Sequence, residues 1–485
     1  MIDDLLSEPE TFYIGGQWRE STGGESIQVW NPATGNVLTT VPSATAEEAT
    51  DAIDAAEAAS TEWKQLPAKE RGDVVRSIAS TMESYAGELA KLVSLEQGKP
   101  ISTARGEIQG AIALAEYMAG WDRRIEGDIV PADGQRESIH IQRVPLGVVA
   151  GLIPWNFPIT VFVRKLAPAL VTGNTFVGKP SEITSVATMR LVELIDDNVE
   201  LPDGVLNVVT GGGDVGAELV MSNQVDLITI TGNVETGKEI MRDAADNLTR
   251  VSLELGGKAP AVIWRDADVD QAVEDVLTAR IANTGQVCTC AERVYVHAEV
   301  RDEFQEKYVE AVENLTIGLP TENPDIGPQV SERELTKTES AVERARDRGA
   351  DILTGGSPPD GEMYSTGYWY EPTVISGVGQ DWEIMQEEIF GPVTPIMEVN
   401  DLDEALDYAN DSRYGLSSYL YTDSYRVAMR FAEEVECGEL YLNRSIGESW
   451  QGHHVGWDES GIGGEDGKHG VHKYTKLKTI YHNYQ

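Results

Sequence analysis

Between residues 146 and 255, short apolar runs alternate with helical patterns, and nothing else in the chain limits its fold as tightly. The spacing predicts strands at 147–152, 175–178, 205–209, 226–231 and 251–255. Helices are expected between them, at 160–171, 184–197, 215–221 and 235–245. Parallel strands need long crossover connections, usually helices, and those helices cover both faces of the sheet. The segment is therefore expected to form an open, doubly wound parallel sheet of the α/β class, the usual dinucleotide-binding architecture.

The 485 residues leave room for two or three domains, each with its own core. Residues 11–45 read as short strands and turns. Thr45-Ala46-Glu47-Glu48 is a capping-box pattern that opens a helix to about residue 60. Pro67 is expected to open a second helix that runs to about residue 97, and a third spans about 102–125. A polar, strand-like excursion follows at 138–143. A second α/β unit begins near Gly256, with a strand at 261–264, a helix at 268–281, a strand at 294–297 and helices to about 349. Strands near 393–398, 418–421 and 439–442 continue it, and 478–481 reads as a last strand pairing outside its own core.

A short polar turn, residues 283–293, joins two elements of this second unit and carries Cys288 and Cys290. Catalytic side chains are usually placed on loops held by a rigid scaffold. A Cys there acts as a nucleophile only if its thiolate fraction is raised. Otherwise it is a small, buried apolar residue. Three Cys in such a length do not make a disulfide framework, so reduced thiols are expected.

Other turns sit at strand ends. Pro154-Trp155-Asn156-Phe157-Pro158 offers the Asn156 amide as an oxyanion donor, or as a bond within its own turn. Glu254 ends an apolar strand, where a carboxylate needs a partner or a task, and Lys258 is its candidate salt-bridge partner. Gly211–Gly216 matches G-x-G-x-x-G, but late in the strand series and without an acidic residue about 20 positions on. It reads equally as cofactor contact or plain turn. Gly232-Asn233 opens a helix whose free N–H groups suit a pyrophosphate. In Lys179-Pro180-Ser181-Glu182, Lys179 and Glu182 suit ribose hydroxyls, and Glu182 would repel a 2′-phosphate, favouring NAD over NADP.

Together these motifs resemble the aldehyde dehydrogenase superfamily, over nearly the whole chain. The Pro-Trp-Asn-Phe-Pro, Lys-Pro-Ser-Glu, Glu-Leu-Gly-Gly-Lys, Gly-Gln-x-Cys and Glu387–Pro392 motifs keep that family's order and spacing. The resemblance implies Cys288 as nucleophile, Asn156 as oxyanion donor, Glu254 as the base that activates water, and Glu465 at a position tied to proton relay. It implies that Pro154, Trp155, Lys179, Pro180, Ser181, Glu182, Gly232, Asn233, Glu388 and Phe390 hold the NAD cofactor, with the Gly211–Gly216 run only bordering the adenine. Asn233 departs from the usual Ser. Residues 285–296 and 451–470 resemble the lactaldehyde and glycolaldehyde dehydrogenases in particular. By that likeness Arg164, Thr289, Glu448 and His454 face the substrate, Thr289 standing where Asn is common. The adjacent His453 and His454 make no metal site on their own. The implied activity is NAD-dependent oxidation of a short 2-hydroxy aldehyde to its acid. Alternatives are a semialdehyde substrate anchored by Arg164, or a silent binding protein on the same fold.

The resemblance also implies a division into an NAD-binding domain (1–125 and 146–255), a catalytic domain (256–455) and an oligomerisation segment (126–145 and 470–485). Homodimers or homotetramers are expected, with that segment pairing across subunits.

Charge excludes several partners. With 38 basic and 81 acidic residues, 38 − 81 gives −43. Such a surface repels nucleic acid and anionic membranes. The longest apolar region, 144–163, is broken by Pro145, Pro154 and Pro158 and is not expected to span a membrane. The opening Met1–Leu6 stretch is acidic, so no secretory leader is expected. Acidic residues are spread along the whole chain, which fits a folded protein of a salt-rich cytoplasm, where screening suppresses self-repulsion. The melting temperature is expected to fall as KCl is lowered from about 2 M, where the Debye length is only a few Å. Equal melting temperatures at low and high salt would contradict this reading of the charge.

Overall fold

The computed structural model describes residues 11–484, so the Met1–Leu6 stretch lies outside the described residues. Five parallel strands form the centre of the first sheet, in the order Leu206–Val208, Thr175–Lys179, Val148–Leu152, Leu227–Thr231 and Arg250–Glu254. The chain builds from Val148–Leu152 towards Leu206–Val208. It then crosses to the other flank of its first strand, so the order reverses between Val148–Leu152 and Leu227–Thr231. That reversal opens a crevice at the carboxyl ends of the two strands. Antiparallel Thr11–Ile14 and Gln17–Glu20 close one edge, and Gly461–Ile462 lies antiparallel to the strand that ends in Glu254.

Side chains alternate between the faces of this sheet, as a strand period of two requires. Val149 and Leu227 join a core with Phe162 and Leu166, while Val148, Ala150, Ile228 and Ile230 join another with Ile53, Val215 and Ile240. Burial on both faces is why these strands read as nearly continuous apolar runs. The second sheet is built the same way. Its order is Asp351–Thr354, Thr373–Ser376, Val393–Val399, Ala291–His297, Ala259–Ile263, Ser417–Tyr421 and Glu439–Leu442, with only the first pair antiparallel. Asp351–Thr354 and Thr373–Ser376 lie in a region read without strands.

The helical flank differs from the sequence reading at two points. The expected helix at 67–97 is two helices, Ala68–Ser84 and Ala86–Gln97. Tyr85 leaves helical geometry at φ −114°, ψ 15°, which swings the second helix so that Leu89, Ala90, Leu92 and Val93 are buried. The third helix stops at Ala119 and continues as one tight turn, Gly120–Arg123, in which Trp121 is buried. The capping box at Thr45 forms as expected, with Thr45 and Glu48 bonding each other's backbone N–H.

The last strand, Thr475–Asn483, pairs along its length with Glu137–Pro145 of the same chain, and Asp128–Val130 completes a three-stranded sheet. The two parts of the segment expected to serve oligomerisation are thus paired with each other within the chain. Among the described residues no helix is long and apolar enough to cross a membrane.

One buried ion pair connects the helical flank to the crevice. The Lys99 ammonium donates to Glu107 at 2.6 Å and to the Asn156 carbonyl at 2.7 Å. The other Glu107 oxygen accepts from Ile159 and Thr160 at the start of helix Pro158–Thr172, where backbone N–H groups lack helical partners. Removing one member of a buried pair leaves an uncompensated charge. Glu107→Gln is therefore expected to lower stability by about 3 kcal/mol, read as a fall in the urea midpoint.

Candidate active site

A cavity of ≈ 830 Å³ occupies the crevice, with walls from both sheets. The strand ends of the reversal supply Pro154, Trp155, Asn156, Gly232 and Asn233. Lys179, Ser181 and Glu182 line it from the next strand, and Glu388 and Phe390 from the opposite domain, with Cys288 at its inner end. Pro180 lies between Lys179 and Ser181, and its carbonyl is 3.4 Å from the Lys179 ammonium. Gly213 and Gly216 of the glycine run also reach the cavity.

The walls fit an extended dinucleotide. A Cβ at Gly213 would meet nothing within 4 Å, so the cavity closes directly on its backbone. The buried Lys179 ammonium has only distant partners, the Pro180 carbonyl and Glu182 at 3.8 Å, and keeps donor capacity for a ribose hydroxyl. Asn233 is the N-cap of helix Val234–Ala244, and its side chain accepts from the Thr236 N–H at 2.8 Å. Its side-chain oxygen is therefore committed to the helix start, and the Gly232 N–H is committed to the Glu254 carbonyl at 2.9 Å. What faces the cavity there is the remaining N–H array of the helix. Phe390, at φ +60°, sets its ring edge-on to Trp155, with centroids 5.4 Å apart. Glu388 accepts from the Gly257 N–H at 2.8 Å, and burial pushes its carboxyl up to about 7.

The Cys288 turn is shaped by three successive left-handed residues, Asn283 (φ 49°), Thr284 (φ 60°) and Gly285 (φ 77°). A Cβ on Gly285 would stand 2.4 Å from the Gly391 carbonyl oxygen, so only glycine fits between the two loops. Buried side chains then tie the turn to its neighbours. The Asn156 amide donates to the Gln286 carbonyl at 3.0 Å, and the Asn283 amide donates to the Asn156 carbonyl at 3.2 Å. The expected oxyanion donor is thus bonded to the nucleophile's own turn, which brings both to one place. Cys288 is partly buried, whereas Cys290 is fully buried as a packed thiol. Burial raises the Cys288 thiol, and a hydrogen bond to His454 pulls it back down.

Glu254 lies at the carboxyl end of its strand, 2 % exposed, and neither carboxylate oxygen has a hydrogen-bond partner among the described residues. The salt bridge to Lys258 does not form. Lys258 pairs with Glu292 at 2.8 Å instead. Burial pushes Glu254 up to about 7, with His454, 3.8 Å away, acting in the opposite sense. Glu465 is in the reverse condition. Burial opposes its charge, but Lys165 at 2.6 Å and Lys473 at 3.5 Å hold it far below the usual carboxylate range. The two lysines thus hold Glu465 in its charged form.

The expected substrate residues lie beyond Cys288, outside the cofactor cavity. The Arg164 guanidinium is 2.9 Å from both Glu448 and Asp466 and stacks over Trp450 at 5.2 Å. Glu448 is held down to about 2: Arg164 and His454 outweigh its burial. The Thr289 backbone carbonyl accepts from the Tyr419 hydroxyl at 2.6 Å, and its side chain is buried rather than displayed. His454 is buried beside Cys288, while His453 bonds the Glu465 carbonyl at 2.8 Å. Lys99, Lys165, Glu292 and Glu439 also build the site and escaped the sequence reading. Lys99, immediately after a glycine-capped helix end, carried the one local hint.

A dinucleotide-sized crevice lined by a thiol, an amide and acidic side chains suits an oxidoreductase that acts on carbonyl compounds. The chain belongs to the aldehyde dehydrogenase family, whose description matches residues 18–480, and it is an oxidoreductase. It is 43% identical over 472 residues to the lactaldehyde dehydrogenase of Escherichia coli (strain K12), spanning 97% of this chain and 98% of that one. It is 42% identical over 474 residues to the 3,6-anhydro-alpha-L-galactose dehydrogenase of Vibrio sp. (strain EJY3), spanning 97% and 98%. It is 40% identical over 474 residues to the D-glyceraldehyde dehydrogenase (NADP(+)) of Picrophilus torridus, spanning 97% and 96%. A crystal structure of lactaldehyde dehydrogenase from Escherichia coli matches the fold with a TM-score of 0.96 at 42% identity, covering 98% of this chain and all of that one.

Proposed function

We propose that the protein oxidises a short 2-hydroxy aldehyde, of the lactaldehyde or glycolaldehyde type, to its carboxylic acid. The observation that carries the reading is Glu254, a buried carboxylate at a strand end whose oxygens have no hydrogen-bond partner among the described residues. The Cys288 thiolate adds to the carbonyl carbon. Asn156 and the Cys288 backbone N–H receive the oxyanion. A nicotinamide held against Glu388, Phe390 and Trp155 would supply the acceptor for the hydride of that carbon. Cys288 then carries a thioester, and Glu254 removes a proton from the water that cleaves it. A base with this task argues against transfer of the acyl group to a thiol acceptor.

The substrate proposal rests on Arg164. Its guanidinium is already shared by Glu448 and Asp466, so it offers no free positive charge to a distal carboxylate. Glu448 and His454 instead offer an acceptor and a donor that suit hydroxyl groups. The relatives include dehydrogenases of lactaldehyde and of D-glyceraldehyde, both 2-hydroxy aldehydes. In a panel at matched concentration, kcat/KM is expected to be higher for lactaldehyde or glycolaldehyde than for succinic or 2-oxoglutarate semialdehyde. The reverse order would assign Arg164 to a carboxylate. Glu182 at the cavity wall supports NAD as the preferred cofactor. We further propose a cytoplasmic homodimer or homotetramer of a salt-accumulating cell, assembled through the sheet formed by 128–145 and 475–483.

Cys288→Ala is expected to abolish turnover. Glu254→Gln is expected to keep an initial burst of NADH while steady turnover falls by about 10²–10⁴. The sign of the pH dependence follows from the raised carboxyl. The base works only when ionised, so kcat should be full above about 7 and decline as pH falls through that value. A steady-state rate independent of both Glu254 and pH would remove Glu254 from the role.

A further inference from the structure

A buried carboxylate that takes no part in the chemistry faces one short segment of the cavity wall. Glu292 follows the Cys288 turn on the strand Ala291–His297 and is fully buried. One of its oxygens accepts from the Ile389 N–H at 3.0 Å, and the other accepts from the Phe390 N–H at 2.9 Å. The first oxygen also meets the Lys258 ammonium at 2.8 Å, and the second lies 3.5 Å from the Arg280 guanidinium. Burial opposes the charge of Glu292, but Lys258 and Arg280 outweigh it and hold the carboxyl down to about 2. An ionised carboxylate bonds backbone N–H groups about twice as strongly as a neutral acceptor does.

The segment it grips is an unusual one. Phe390 stands at φ +60°, a backbone conformation that residues other than glycine rarely adopt. Such a conformation persists only where its surroundings impose it. Arg280 ties down the chain beyond it, donating to the Gly391 carbonyl and, at 2.9 Å, to the Val393 carbonyl. Glu388, Ile389 and Phe390 all line the cavity, whereas Glu292 does not. They stand at its inner end, beside the Cys288 turn. Glu388 accepts from the Gly257 N–H at 2.8 Å, and a Cβ on Gly257 would collide with the Cys288 carbonyl oxygen. A hydride acceptor must lie near the carbon bonded to Cys288, so this end suits the nicotinamide half of the cofactor.

We propose that Glu292 is a positioning residue for the nicotinamide half of the cofactor: its two oxygens hold the Ile389–Phe390 backbone in the left-handed turn that presents Glu388 and Phe390 to the cavity. The inference rests on the reading of Glu388 and Phe390 as cofactor residues. Glu292 acts through the backbone and touches no ligand itself. Lys258 and Arg280 keep it charged and in place. The adenosine half is expected to be indifferent to it, because Gly213, Lys179 and Glu182 make no printed contact with Glu292 or its partners.

The test is calorimetric titration of the full chain with NAD and with ADP, which keeps the adenosine and both phosphates but lacks the second ribose and the nicotinamide. Glu292→Gln keeps the size of the side chain and turns one acceptor into an amide NH2 that faces a backbone N–H. Its Kd for NAD should rise about tenfold, the order of one lost charge-assisted bond, and its Kd for ADP should change by less than about twofold. Equal weakening of both ligands would mean a general structural role and overturn the proposal, as would an unchanged Kd for NAD. The single variant also strands the Lys258 ammonium, which lowers stability. Glu292→Gln combined with Lys258→Met removes that charge and serves if the single variant fails to fold. It should show the same loss confined to NAD. Wild-type affinity for NAD in the double variant would assign the effect to the charge pair and sink the proposal. Glu388→Gln checks the underlying reading separately, and should weaken NAD while sparing ADP. If Glu388→Gln spares both ligands, the reading fails and the proposal fails with it. If Glu388→Gln weakens NAD and Glu292→Gln does not, the proposal alone fails.

Discussion

Glu292 holds the two halves of the site in one frame. Its buried carboxylate meets Lys258 at 2.8 Å and Arg280 at 3.5 Å, and accepts from the backbone N–H groups of Ile389 and Phe390 at 3.0 and 2.9 Å. These cations and N–H groups outweigh its burial and hold it down to about 2. Lys258 follows the strand that ends in Glu254, Arg280 ends the helix before the Cys288 turn, and Phe390 faces Trp155. One carboxylate thus ties together the loop after Glu254, the helix before the Cys288 turn and the cavity wall at Phe390. A buried ion cluster adds little net stability over apolar packing, but losing one member leaves unpaired charge. Its value here lies in geometry, since misplacement of a reacting group by about 1 Å can lower a rate about 10²-fold.

The same side chain does opposite work a few residues away. Glu254 and Glu465 are both buried acids, yet one rises to about 7 and the other stays ionised. The difference is the company each keeps. Glu465 has Lys165 and Lys473 in direct contact, while Glu254 has an imidazole at 3.8 Å and feels the same two lysines only through space. Environments that push like groups apart are how one fold separates a proton-transferring acid from a structural one.

The doubly wound sheet was legible because two-sided burial writes long apolar runs, and the turns at their ends carried Asn156, Lys179 and Glu254 in local motifs. Cys288 was legible through its company in the chain rather than through its own chemistry. The break at Tyr85 was not, because the helical pattern continues across it and only packing of Leu89 and Val93 reveals the turn. Glu439 and Lys99 were hidden for a different reason. Each acts on a residue far away in sequence, His454 by 15 positions and Asn156 by 57, and a partner brought by the fold leaves no local spacing to read. The Lys258 pairing was misjudged on the same ground, since Glu254 is nearer in sequence but Glu292 is nearer in space. The strands at 351–354 and 373–376 are short and sit at a sheet edge, where the apolar signal is weakest.

Arg164 has a consequence that reaches past this chain. A guanidinium flanked by Glu448 and Asp466 has its one positive charge met by two carboxylates, so the sign of that face is a balance of three residues rather than a property of any one. Removing one carboxylate would leave the remaining pair formally neutral, and removing both would leave a cation. A scaffold of this kind can change the charge it presents through the neighbours of one residue, with the backbone unchanged. The charge of this face is set by a cancellation, and cancellations are the easiest thing for mutation to undo.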